Sequence, residues 1–93
     1  MIYTDTRDSS VQTTFKNAVM NGMNKETGGL YIPVSFPKLD PNFINKNPEP
    51  SFRDVAFQMA KPYCDGEIPD EDLLAIIQDA YTFRPKVVPL DNN

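Results

Sequence analysis

The sequence predicts a small α+β domain of about three helices with short β-strands, and an antiparallel-like helix pair in its second half. Three observations predict it: short β-branched and aromatic runs in the first third, a change to helical period at Thr14, and two consecutive amphipathic segments between Ser51 and Tyr81.

Ile2 to Thr6 is rich in β-branched and aromatic residues, which suit a pleated, half-buried surface. Arg7-Asp8-Ser9-Ser10 ends this strand with turn-forming side chains, and Val11 to Thr13 resumes extended structure. Phe15, Ala18, Val19, Gly22 and Met23 then share one helical face, with Thr13 or Thr14 in the cap position. Asn21-Gly22 and Asn24 supply left-handed stops. Gly28-Gly29 turns the chain into Leu30-Tyr31-Ile32, a short apolar strand closed by Pro33. Pro33, Pro37, Pro41, Pro48 and Pro50 make the next segment rigid and irregular, with one helical turn at Asn42–Asn45. Its Phe36, Leu39, Phe43 and Ile44 predict that it lies against the body of the domain.

The second half is the most legible. Ser51-Phe52-Arg53-Asp54 has the form of a capping box, and Phe52, Val55, Ala56, Met59, Ala60 and Tyr63 follow with helical spacing until Pro62 terminates the helix. Asp65-Gly66 makes a turn. Pro69 opens a second helix whose first turn holds Asp70, Glu71 and Asp72, where the macrodipole favours anions. Leu73, Ile76, Ile77, Ala80 and Tyr81 are its apolar stripe, and the chain runs extended through Val87-Val88-Pro89-Leu90.

Length and composition narrow the function. Ninety-three residues make one small domain. Its single cysteine forms no internal disulfide, and no Cys/His cluster offers a structural metal. Small domains without such braces lean on a partner surface. A net charge of −4 with scattered basic residues argues against nucleic acid. No apolar run approaches the roughly 20 residues that span a bilayer, and the first residues lack the pattern of a signal peptide, so the cytoplasm is the expected location.

The candidate chemistry is sparse. There is no histidine, so the commonest general base and metal ligand is missing. Cys64, with no base to activate it, reads as a small half-buried hydrophobe near a helix end. Glu67, Asp70, Glu71 and Asp72 lack the alternating spacing of a calcium loop, and a helix start explains three of them. Gly28-Gly29 runs into a strand and lacks the flanking residues of a phosphate loop. Arg7 suits bidentate recognition of a carboxylate or phosphate, or a surface or interdomain ion pair.

The order of short motifs adds a family. Tyr3-Thr4-Asp5-Thr6-Arg7, Phe15-x-x-Ala18-x-x-x-Gly22, Gly28-Gly29-Leu30-Tyr31-Ile32-Pro33, Phe52-Arg53-Asp54-Val55-Ala56-Phe57 and Glu67-Ile68-Pro69-Asp70-x-Asp72-Leu73 with Ala80-Tyr81-x-Phe83 resemble, in sequence, the N-terminal domain of threonine synthases. Val88-Pro89-Leu90 is similar to the segment that precedes the catalytic domain in that family. Asp5 stands where the family usually has Ser, Asp8 where it often has Gly, and Thr27 where it often has Asp.

The resemblance implies a pyridoxal-phosphate-dependent lyase of fold type II, the tryptophan-synthase-β-like group. Such an enzyme converts O-phospho-L-homoserine and water to L-threonine and phosphate in threonine biosynthesis. The family's Phe-Lys-Asp motif for the Schiff-base lysine does not occur here, nor does its Gly/Ser/Thr-rich phosphate loop. Residues 1–93 are therefore expected to be the N-terminal domain without the catalytic one, inactive alone and binding no cofactor, with the lysine and substrate-phosphate site beyond Asn93. The expected partners are the remaining domains of the same enzyme, met through Arg7, Gly28, Gly29, Tyr31 and Pro33, and the missing partner surface predicts self-association through exposed apolar residues. The alternative is a standalone acidic module that binds a protein or peptide through its Phe/Tyr-rich segment.

Overall fold

The computed structural model describes residues 1–46 and 48–91. Two strands, β1 (Tyr3–Asp5) and β2 (Tyr31–Pro33), form an antiparallel ribbon with Tyr3 opposite Pro33, Thr4 opposite Ile32 and Asp5 opposite Tyr31. Backbone bonds from Val34 N to Ile2 O (3.0 Å) and from Thr6 N to Leu30 O (2.9 Å) carry the pairing across the whole expected strand. Thr13 bridges the other edge of β1 through reciprocal 2.9 Å bonds with Tyr3. The domain is α+β as expected, with four helices among the described residues because the single turn α2 (Pro41–Ile44), capped by Asp40, counts as one.

Helix α1 (Phe15–Asn21) starts where the sequence placed its cap. Thr14 Oγ1 accepts from Asn17 N at 3.1 Å, and Gly22 closes the end at φ 69°. Met23 leaves the helix there and bridges Leu30 instead of extending the helical face. Only Ala18 of the expected stripe is buried; Phe15 is half-buried, and Val19 and Met20 face solvent.

Helices α3 (Phe52–Cys64) and α4 (Asp70–Ala80) form the antiparallel pair. At one end Arg53 Nε donates to Tyr81 O at 3.0 Å and the Phe52 and Tyr81 rings meet edge-on at 5.0 Å; at the other, Lys61 pairs with Asp70 at 3.1 Å. The capping box is complete, with Ser51 and Asp54 each accepting from the other's backbone N–H. Pro62 does not terminate α3. Its ring removes only the bond to Gln58 O, and two further residues stay helical because Cys64 is seated in the core and Asp65, in left-handed conformation, donates its N–H to Lys61 O at 2.9 Å.

The core lies between these helices: Cys64, Leu73 and Ile77 are buried, with Phe15, Ala56, Phe57, Ala60, Ile68 and Tyr81 packed around them. The side of α3 that meets α4 includes Phe57, which the helical count left out, while Met59 is half-exposed beside Pro37, Lys38 and Leu39. The proline-rich segment thus touches α3, as expected, but its Phe36 and Ile44 stand in solvent.

Three polar links fasten the N-terminal half to the last turn of α3 and the turn that follows it. The Met1 ammonium meets Asp65 Oδ2 at 2.7 Å, and Tyr3 Oη donates to Tyr63 O at 2.7 Å. The Glu67 carboxylate accepts from Phe15 N (3.0 Å) and Lys16 N (3.1 Å), so a residue 52 positions away completes the cap of α1. Even so, the fold is open. Its radius of gyration is 16.4 Å, against about 12 Å for a compact domain of this length. Its accessible surface is 7578 Å², roughly 2,000 Å² above the value of about 5,400 Å² expected for a folded monomer of this mass.

Tyr3→Phe keeps the ring and removes the bond to Tyr63 O, so it should cost about 0.5–1.5 kcal/mol. Glu67→Ala should cost about 1 kcal/mol, the typical value of a lost helix cap. Each kcal/mol lowers the melting temperature by roughly 4–8 °C in a domain of this size, which thermal unfolding followed by circular dichroism resolves.

Candidate functional site

The most elaborate polar construction in the chain is built on Asp5, which is 3% exposed. Its Oδ1 accepts from Arg7 N at 2.7 Å; its Oδ2 accepts from Asn24 Nδ2 at 2.7 Å and Thr27 Oγ1 at 2.5 Å. Thr27 Oγ1 in turn accepts from Gly29 N, and Arg7 Nη1 donates to Thr27 O at 2.9 Å. The loop from Asn24 to Gly29 closes on itself through Gly28 N to Asn24 O (2.7 Å) and Asn24 N to Gly29 O (2.9 Å). The hydrogen bond from Thr27, followed by that from the Arg7 amide, holds the Asp5 carboxyl below the usual carboxylate range.

Both glycines of the turn are required, for different reasons. Gly28 has φ 74°, and a Cβ there would come within 3.0 Å of Arg7 Nη1. Gly29 has no such backbone; it is buried against Asp5, and a Cβ on it would overlap the carboxylate. Arg7, Gly28 and Gly29 are therefore gathered at one end of the ribbon, with the guanidinium exposed over the turn. Tyr31 and Pro33 stand opposite Asp5 and Tyr3 and are half-buried on the ribbon's inner side.

The other groups singled out in the sequence act in structure. Asp70, Glu71 and Asp72 occupy the first turn of α4, and Glu67 caps α1. Burial pushes the Cys64 thiol up, with the Glu67 charge adding to it, which disfavours the thiolate that reacts. Among the described residues no group of His, Cys, Asp or Glu is arranged to hold a metal ion, and no helix is long and apolar enough to cross a membrane. Lys16, Lys25, Lys38, Lys46, Lys61 and Lys86 are all exposed. A Schiff-base lysine depends on a desolvated amine, so the residues of this chain do not fit a covalently held pyridoxal phosphate.

These features define a class: a small α+β domain that presents a braced ribbon and open apolar surface. A family described as the threonine synthase N terminus matches residues 2–81, and the chain belongs to that family. It is 37% identical to threonine synthase of Eremothecium gossypii across 99% of its length, and 34% identical to that of Schizosaccharomyces pombe across 95%. It spans about a fifth of the length of these relatives, 19% and 18% respectively. The crystal structure of pyridoxal-phosphate-bound threonine synthase from Brucella melitensis superposes on all of the chain with a TM-score of 0.84 at 32% identity, using 21% of its own length. That of threonine synthase from yeast covers 87% of the chain with a TM-score of 0.76 at 34% identity, using 16% of its own length.

Two positions read in the sequence as departures from the family motif meet in the structure. Asp5 stands where Ser is usual and Thr27 where Asp is frequent, and the structure bonds these two side chains to each other. Reading each position alone did not find this coupling between Asp5 and Thr27.

Gly29→Ala should destabilise the domain by about 1–3 kcal/mol, the usual cost of forcing an atom into filled space, measured by urea unfolding. Acidification provides a second check. The folded pKa of Asp5 lies below its ordinary value of 3.8, so its contribution is complete above that pH and is lost as pH falls through the lower folded value. Asp5→Asn should remove that part of the acid-induced loss, giving a flatter plot of urea midpoint against pH below 3.8.

Proposed function

We propose that this chain serves as the N-terminal, non-catalytic domain of a cytoplasmic threonine synthase, a pyridoxal-phosphate-dependent lyase. The complete enzyme converts O-phospho-L-homoserine and water to L-threonine and phosphate. The observation that carries the reading is that the chain, over nearly its whole length, matches one fifth of threonine synthases in both sequence and fold. Within such an enzyme the cofactor supplies the electron sink for the substrate carbanion, while this chain contributes shape and packing.

Arg7, Gly28, Gly29, Tyr31 and Pro33 are the proposed interdomain face. The exposed guanidinium over the turn supplies its charged contact, and the Asp5 network fixes the turn so that the contact is presented in one geometry. Gly29, Tyr31 and Pro33 act by holding that surface in place.

Added to the 93-residue chain, pyridoxal phosphate should give no visible absorption band of a protein Schiff base and no release of phosphate from O-phosphohomoserine. A stable band that disappears on borohydride reduction, or measurable phosphate release, contradicts the assignment.

A further inference from the structure

The two faces of the β1–β2 ribbon differ in kind. Residues directly opposite in an antiparallel pair share a face, so Tyr3, Asp5, Tyr31 and Pro33 lie on the inner side, where Tyr3 and Asp5 are buried. The alternate positions Ile2, Thr4, Leu30, Ile32 and Val34 lie on the outer side, and the bridge to Leu30 adds Met23 to them. Ile2, Met23, Leu30, Ile32 and Val34 are between 44% and 58% exposed. None of these positions carries a charged residue, in a chain that is 24% charged. An antiparallel ribbon with one side on a core ordinarily turns polar residues to water on the other.

We propose that this outer face docks against an uncharged aliphatic surface on the rest of the same polypeptide, beyond residue 91. The inference rests on the reading of the chain as one domain of a longer enzyme. It names the apolar centre of the interface, with Arg7 at its rim. The rest of the polypeptide is favoured over a second copy or a free partner because the chain spans about a fifth of the length of the relatives it matches, and because the patch is small. Five side chains are far fewer than the roughly 20–30 residues a side of a standard interface between separate molecules. A surface on the same chain is present at an effective concentration on the order of millimolar, which makes a small patch sufficient. The exposed segment that follows Pro85, with no helix or strand and with Leu90 98% exposed, has the form of a tether. Two other apolar grooves, one lined by Phe15, Val19, Met20 and Ile68 and one by Phe52, Phe83 and Pro85, are interrupted by Lys16 and Glu67 and by Arg53 and Arg84, and lack the uncharged character of the ribbon.

The test is Ile32→Lys in the full polypeptide that the gene encodes, with Met20→Lys, on α1 and more exposed still (77% against 44%), as control. Ile32→Lys should split thermal unfolding into two transitions and speed proteolytic cleavage within residues 82–91 by about tenfold, as expected for an opened contact, while Met20→Lys changes neither. In the 93-residue chain alone, Ile32→Lys should leave the circular dichroism spectrum unchanged. A full-length variant with one unshifted transition and unchanged cleavage overturns the docking face while leaving the enzyme reading intact. Unfolding of the lone chain by Ile32→Lys, or a dimer of it that Ile32→Lys abolishes, assigns the face to the domain's own stability or to a second copy and overturns the proposal. A gene that encodes no lysine-bearing remainder removes the enzyme reading and this inference with it.

Discussion

The buried Asp5 carboxylate is the constraint on which the ribbon depends. A two-stranded hairpin is marginal in water by itself, and these strands are three residues each. What holds them is a charge taken out of solvent and given three donors, from Arg7, Asn24 and Thr27. A buried carboxylate without them would carry a large desolvation cost, so the loop that brings Asn24 and Thr27 to Asp5 is a condition of the fold. Gly29 follows from the same condition, because the carboxylate occupies the place where its side chain would stand.

Carboxylates also join the ribbon to the helices. Asp65 holds the chain's first residue and Glu67 caps α1 from the far end of the sequence. With Tyr3 bonded to Tyr63 O, the end of α3 and the turn after it become the platform on which the N-terminal half sits. This economy of polar links accompanies a small core of three buried side chains flanked by half-buried neighbours. A domain held this way has rigid local geometry and little apolar burial, which suits a part that completes its packing against a larger body.

Much of the fold was legible because its signals are local. The Ser51–Asp54 box, the Thr14 cap, the Gly22 stop and the acidic first turn of α4 are each set by residues within a few positions of one another. Periodicity was less reliable where the domain is open. Val19 and Met23 read as core positions, yet with no layer over them Val19 faces solvent and Met23 joins the ribbon. Pro62 read as a stop, but tertiary packing of Cys64 carried the helix past it. The site was the least legible part. Arg7, Gly28 and Gly29 could be singled out by type, whereas Asp5, Asn24, Thr27 and Glu67 gain their roles from contacts across 19 to 52 residues, to which helical and strand periods are blind. Motif order, which sums weak signals along the whole chain, found the family where no single residue did.

In the proposed role, this domain is braced from within and finished from without. Amide hydrogen exchange at Thr6, Ile32 and Val34 on the ribbon, compared between the 93-residue chain and the full polypeptide, tests it most directly. Markedly stronger protection of these amides is expected in the full polypeptide, with the first turn of α4 less affected. Equal protection in both would mean that the ribbon needs no further surface, and would contradict the account.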